Sequence, residues 1–233
     1  METIGGKCNL KQNLFEINKR VIKCHACPRL SEYITIISKR SPKRFKQDLY
    51  WARPVPSFGD LNARLLIIGL APAAHGGNRT GRMFTGDSSG DWVARALFQT
   101  GFASSPVSRY MNDGFALKDA YITAVVRCAP PKNRPTSSEI ANCTQYLRSE
   151  LDILDKTVRV IVTLGHIAFH TYCKLVGITA EFQHGGMVNI RGNKILLSSY
   201  HPSRQNTNTG RLKWSMWKQI FETARVILDS QRY

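Results

Sequence analysis

The 233-residue chain has no uninterrupted apolar run near the roughly 18–20 residues that a membrane-spanning helix needs, so no membrane partner is expected. Met1 to Leu10 lacks the apolar stretch of a secretory leader, which makes a cytoplasmic location the expectation. Internal repeats and low-complexity tracts are absent, and this excludes solenoid and linker-like classes. Neither G-x-G-x-x-G nor a Walker lysine is present, so the common dinucleotide and phosphate loops fit poorly. Acidic residues are scarce. There are 16 Asp plus Glu against 33 Lys plus Arg, a net charge of +17. An isoelectric point near 10.0 implies a polyanionic partner, most often nucleic acid. Anionic lipid is the alternative, but no strongly basic amphipathic helix supports it.

The most informative segment is GLAPAAHGGNRTGRMFTG, residues 69 to 86, directly after the apolar run Leu65-Leu66-Ile67-Ile68. Such a run reads as a strand buried on both faces. Glycine-dense backbone at its end allows a close approach to a ligand, although a plain turn has the same composition. A second segment, Ser199-Tyr200-His201-Pro202-Ser203, ends another apolar run. Lys39-Arg40, Lys43-Arg44, Lys46, Arg53, Arg79 with Arg82, and Arg204 with Arg211 concentrate positive charge, several of them beside these two segments.

Four apolar runs read as parallel strands: Ala63 to Leu70, Ala120 to Arg127, Arg159 to Leu164 and Lys194 to Ser199. Helical patterns lie between and after them: Asp91 to Thr100, a helix opened by the capping box Thr136-Ser137-Ser138-Glu139 and running to about Leu154, His166 to Leu175, and about Leu212 to Leu228. The alternation predicts an α/β sheet with helices on both faces. Residues 8 to 38 read as a helical preface and 39 to 60 as a Pro-containing loop. Ligands of such sheets sit beyond the carboxyl ends of the strands.

Of six cysteines, Cys24-His25-Ala26-Cys27 forms a close pair, while Cys128 and Cys143 are remote singles. A reducing compartment argues against disulfides. Four such thiolates suit either zinc or an iron–sulfur cluster. Cys8 and Cys173 read as bystanders, Cys173 as a core residue in an apolar helix pattern.

Taken together, GLAPAAHGGNRTGRMFTGD, RCAPPKNRPT, HPSRQNTNTGRL and the cysteines resemble the uracil-DNA glycosylase superfamily, most closely the prokaryotic type B, or family 5, branch. The resemblance implies one domain over residues 1–233, three-layer α/β/α, with a central four-stranded parallel sheet. It implies a [4Fe-4S] cluster on Cys24, Cys27, Cys128 and Cys143. It also implies DNA containing uracil or other deaminated bases such as hypoxanthine as partner, a monomer, and a nucleoid-associated location. A base inside a duplex is reached by flipping it into a pocket. On the resemblance, Phe84 offers that base an aromatic face, with Gly69, Ala71 and His75 lining. His201 stabilises the leaving base, and Asp87 with Asn133 holds the attacking water. Arg79, Arg204, Gln205 and Arg211 contact DNA. Asp87 is equally suited to cap the following helix.

Two departures matter. Relatives in the superfamily carry an acidic or amide side chain just after the first glycine of the first motif. Here Leu70 and Ala71 stand there and cannot orient water. An apolar wall rejects few bases, which fits a broad substrate range. Arg204-Gln205 follows His201-Pro202-Ser203 where other members have Pro-Leu, leaving Gln205 and Leu212 as candidates to wedge into the base stack. A non-catalytic iron–sulfur nucleic-acid-binding module is the competing class, but binding alone needs neither the His-Pro-Ser segment nor the Gly-rich loop. A zinc hydrolase is disfavoured, because four cysteine ligands leave no open position for water.

Overall fold

The computed structural model describes residues 4–230, with side chains described from residue 12 onward. Cys8 therefore lies outside the described side chains.

Strands β2 (Leu65–Gly69), β3 (Ala120–Ala124), β4 (Val160–Leu164) and β6 (Lys194–Ser199) are the parallel centre of the sheet. β2, β3 and β4 are buried along their whole length. Their side chains alternate between two cores. Leu65, Ile67, Ile122, Val160 and Val162 face one helical layer, while Leu66, Ile68, Tyr121 and Ile161 face the other. This two-sided burial is why these runs are continuously apolar.

The expected four-stranded parallel centre is present, and an antiparallel strand extends it at each edge. Among the described residues the sheet has six strands in the order β1-β3-β2-β4-β6-β5, with β1 (Phe58–Gly59) beside β3 and β5 (Met187–Ile190) beside β6. β1 is two residues long, and β5 is half-exposed with alternating burial. Neither presents an apolar run to find.

One helical layer is α4 (Ser88–Gln99) with α8 (Trp214–Ser230), which bury Val93, Leu97, Trp217, Phe221 and Leu228. The other holds α1 (Ile4–Ile22), α2 (Pro28–Lys39), α5 (Ser137–Leu154) and α6 (His166–Val176). Short helices α3 (Gly77–Thr80) and α7 (Arg204–Asn208) stand at the carboxyl edge of the sheet. The predicted helical preface is α1 and α2. The predicted loop over 39 to 60 holds a single 3-10 turn, Lys43–Phe45, before β1.

The capping box of α5 forms as its sequence predicts. Thr136 Oγ1 accepts from the Glu139 amide at 3.2 Å, and Glu139 Oε2 accepts from the Thr136 amide at 2.8 Å. Arg29 of α2 grips the same carboxylate through Nε and Nη2, at 2.8 and 2.7 Å. That guanidinium holds the Glu139 carboxyl below its usual pKa. One residue thus starts α5 and ties it to α2, which fixes Cys27 relative to Cys143. No described helix is long and apolar enough to cross a membrane.

Candidate active site and cysteine cavity

A cleft of ≈ 1090 Å³ opens at the carboxyl ends of the parallel strands. Leu70 and Ala71 follow β2, Asn133 belongs to the turn after β3, Gly165 follows β4, and His201 follows β6. All of them line it, as do His75, Phe84 and Asp87. The sequence-derived candidates at these positions therefore share one space.

The glycines of the first segment make room for the chain's own side chains. A Cβ on Gly69 would stand 2.8 Å from Phe84 Cζ. One on Gly76 would stand 1.6 Å from Asp87 Oδ2. Phe84 itself adopts φ of 50°, a left-handed conformation costly for a bulky residue. Its ring lies 6.0 Å from the His201 ring, tilted by 33°, so an aromatic face and an imidazole border the same pocket.

His201 is fixed through its backbone. Its carbonyl accepts from Asn206 Nδ2 and from the Ser203 amide, both at 2.8 Å. The neighbouring Pro202 carbonyl accepts from Ser89 Oγ at 2.9 Å, which binds the motif to the first turn of α4. Burial pushes the imidazole down to about 4, so at neutral pH it is uncharged and offers one N–H donor.

Asp87 is the N-cap of α4, with Oδ1 accepting from the Gly90 amide at 2.9 Å. Oδ2 is the oxygen lying over Gly76. Burial raises the carboxyl pKa, and the Gly90 and Ser89 amides offset only part of that. The cap and a catalytic carboxylate are thus compatible in one side chain. Asn133 sits across the cleft with φ of 56°, next to Lys132 at 54°. His75 lines the cleft with Nδ1 held 2.9 Å from the Tyr50 hydroxyl. Its pKa is lowered by burial first, then by the charges of Arg44 and Arg79.

Among the expected DNA contacts, Arg204, Gln205 and Arg211 line the cleft mouth. Arg211 packs over Tyr200 with 4.5 Å to the ring centroid. Arg79 does not join them. It is 7% exposed, and its donors go inward to Asp48 at 2.6 Å and to the His75 and Gly86 carbonyls, both at 2.8 Å. Leu212, at 1% exposure, belongs to the core and cannot reach a base stack, which leaves Gln205. Arg44, Lys132 and Arg134 also line the cleft, and sequence reasoning missed them as part of it. Lys132 and Arg134 flank Asn133 in the second motif, which was the available signal.

In the layer of α1, α2, α5 and α6, Cys24, Cys27, Cys128 and Cys143 line one small cavity. They come from the α1–α2 loop, the N-cap of α2, the segment after β3, and α5. Burial pushes the Cys143 thiol up to about 11, and burial together with the neighbouring cysteines raises that of Cys128. Donors face the sulfurs: the Arg127 amide to Cys143 Sγ at 3.3 Å, and Asn142 Nδ2 to Cys27 Sγ at 3.7 Å. Two buried and two half-buried thiols around one cavity, with donors on two of the sulfurs, fit the chemistry of a thiolate-bound metal group. Cys173 is buried in the helical core, away from this cavity.

Comparison with known proteins defines the class. A family model described as the uracil DNA glycosylase superfamily matches residues 56–225, and the chain belongs to that superfamily. Within it, the chain is 48% identical over 206 residues to a Type-5 uracil-DNA glycosylase of Pyrobaculum aerophilum, covering 88% of this chain and 89% of that one. It is 45% identical over 205 residues to the Type-5 enzyme of Thermus thermophilus, covering 87% and 92%. A Type-4 uracil-DNA glycosylase of Thermotoga maritima is 28% identical over 196 residues, with 83% of each chain covered.

Proposed function

We propose that the cleft hydrolyses the N-glycosidic bond of uracil in DNA, acting after the nucleotide is flipped out of the duplex. The observation that carries this is the meeting of Phe84, neutral His201 and the Asp87 carboxylate in one cleft, in a chain of this superfamily. Phe84 packs on the flipped base. The bond breaks toward an oxocarbenium-like sugar while electrons pass to the base. The N–H of His201 then meets the charge developing on the leaving base, where a preorganised donor is most effective. Oδ2 of Asp87 orients the water and takes its proton, favoured in that role by its raised pKa. Asn133 supplies the second polar contact to the water. Leu70 and Ala71 give an apolar wall, so we expect hypoxanthine and other deaminated bases to be accepted as well. Arg204, Arg211 and Gln205 follow the strand, the first two by neutralising phosphates.

The cysteine cavity, on this reading, holds a [4Fe-4S] cluster through Cys24, Cys27, Cys128 and Cys143 and is structural. It pins the helical preface to the sheet. Among the described residues, no three His, Cys, Asp or Glu side chains are grouped to hold one ion. The chain works as one monomeric domain and associates with the nucleoid through DNA.

The test is incubation with end-labelled duplexes carrying one uracil or hypoxanthine, followed by alkali cleavage. Strand breaks at the modified position are expected. Tight duplex binding with no breaks would instead identify a non-catalytic iron–sulfur binding module.

A further inference from the structure

Arg127 is 1% exposed, yet its Nε and Nη1 have no hydrogen-bond partner. Buried guanidinium N–H groups without acceptors are costly, and such orphans call for a physical reason. Neutralising Glu150 does not supply one. Glu150 is wholly buried, but Arg127 meets it through Nη2 alone, not through a two-nitrogen fork. The carboxylate is already served by hydroxyls, with Ser57 Oγ and Thr123 Oγ1 both at 2.5 Å and Tyr121 Oη 2.7 Å from Ser57 Oγ. Meanwhile Arg127 lines the cavity with the four cysteines, its amide donates to Cys143 Sγ, and its charge bears on that sulfur.

We infer that Arg127 is the positioning residue for the iron–sulfur cluster: its spare N–H donors hydrogen-bond the cluster's sulfur and its charge offsets the anionic four-thiolate assembly. This rests on the cluster reading above. Glu150, held by its hydroxyls, anchors the guanidinium from behind. Donors and positive charge beside cluster sulfur stabilise the reduced form and raise the potential.

Iron and acid-labile sulfide are measured first in the unaltered protein, and their absence defeats the cluster reading itself. With the cluster present, the double variant Arg127→Met, Glu150→Gln removes both charges together and leaves no lone buried ion. Its cluster potential should fall, and chelator-driven iron loss should quicken by about ten-fold or more. Glu150→Gln alone keeps every Arg127 donor and should shift the potential the opposite way. A double variant with the parent's potential and iron-release rate overturns the assignment. A measurement needing no variant guards against misfolding. Pulsed electron paramagnetic resonance of the reduced protein, labelled with nitrogen-15 only in arginine guanidino groups, should detect nitrogen coupled to the cluster. Absence of that coupling equally overturns the assignment.

Discussion

Asp87→Asn separates the helix cap from the chemistry. Asparagine caps about as well as aspartate, so the bond to the Gly90 amide at 2.9 Å survives in kind. What disappears is a base able to take the water's proton. General-base catalysis typically contributes about 10²- to 10⁴-fold, or roughly 3–5 kcal/mol of barrier. Single-turnover excision from a uracil duplex should therefore fall by about that factor, with binding to an uncleavable duplex nearly unchanged. Stability should move the other way. The folded-state pKa of Asp87 is raised above 3.8 by burial, so the protonated form is favoured on folding. Its stabilising contribution is present below 3.8 and lost as pH rises through the raised value. At neutral pH the Asn variant should melt at or above the parent temperature. Asp87→Ala, lacking the cap worth about 1 kcal/mol, should melt roughly 2–4 °C below Asp87→Asn. The parent's excision rate should rise with pH through the raised carboxyl pKa, and this limb should vanish in the Asn variant. An Asn variant that excises at the parent rate removes Asp87 from the mechanism and leaves Asn133 to hold the water.

His201→Ala should slow single-turnover uracil excision by on the order of 10²-fold or more, the loss expected for a preorganised donor, and parent-like turnover would refute its role. Gly76→Ala drives a methyl into Asp87 Oδ2, so it should reproduce the rate loss of Asp87→Asn although it changes no polar group; an unimpaired variant would show that Oδ2 need not lie there. Arg204→Ala or Arg211→Ala should weaken binding to damaged and undamaged duplexes alike and reduce the log–log salt slope by about 0.9 for each phosphate no longer neutralised. Arg79→Ala should instead lower the melting temperature and leave that slope unchanged, because its guanidinium is spent on Asp48 and two carbonyls.

What could be read from the sequence follows from how local each signal is. β2, β3, β4 and β6 were legible because burial of the sheet centre on both faces writes itself as continuous apolar runs. The α5 capping box was legible because both partners lie within four residues. β1 and β5 were not, since two and four residues are too few to establish a period and neither strand is buried. The arginines show the limit most clearly. Arg79 and Arg82 stand in a basic segment and look like phosphate ligands. Their carboxylate partners, Asp48 and Asp113, are distant in sequence, and only the fold turns the guanidiniums inward. Conversely, Arg44, Lys132 and Arg134, which line the cleft beside the expected Arg204 and Arg211, look no different in sequence from cations that do not.

The glycines carry the same lesson into the active site. A glycine-dense loop after a buried strand invites the reading that the backbone approaches a ligand. Here the space left by each missing Cβ is filled from within. Phe84 occupies the space at Gly69, Asp87 Oδ2 that at Gly76, and Arg79 Nη2 lies 2.4 Å from where a Cβ on Gly86 would be. The loop is folded tightly enough that the aromatic face, the carboxylate and the arginine bracing them all lean on bare backbone. Preorganisation of this kind holds side chains in place before substrate arrives, and it explains how Phe84 is kept at a left-handed φ of 50°. The strain is localised where the flipped base is expected to stack. The neighbours of Phe84 are Gly69 and Gly90 within the same segment and His201 from the segment after β6.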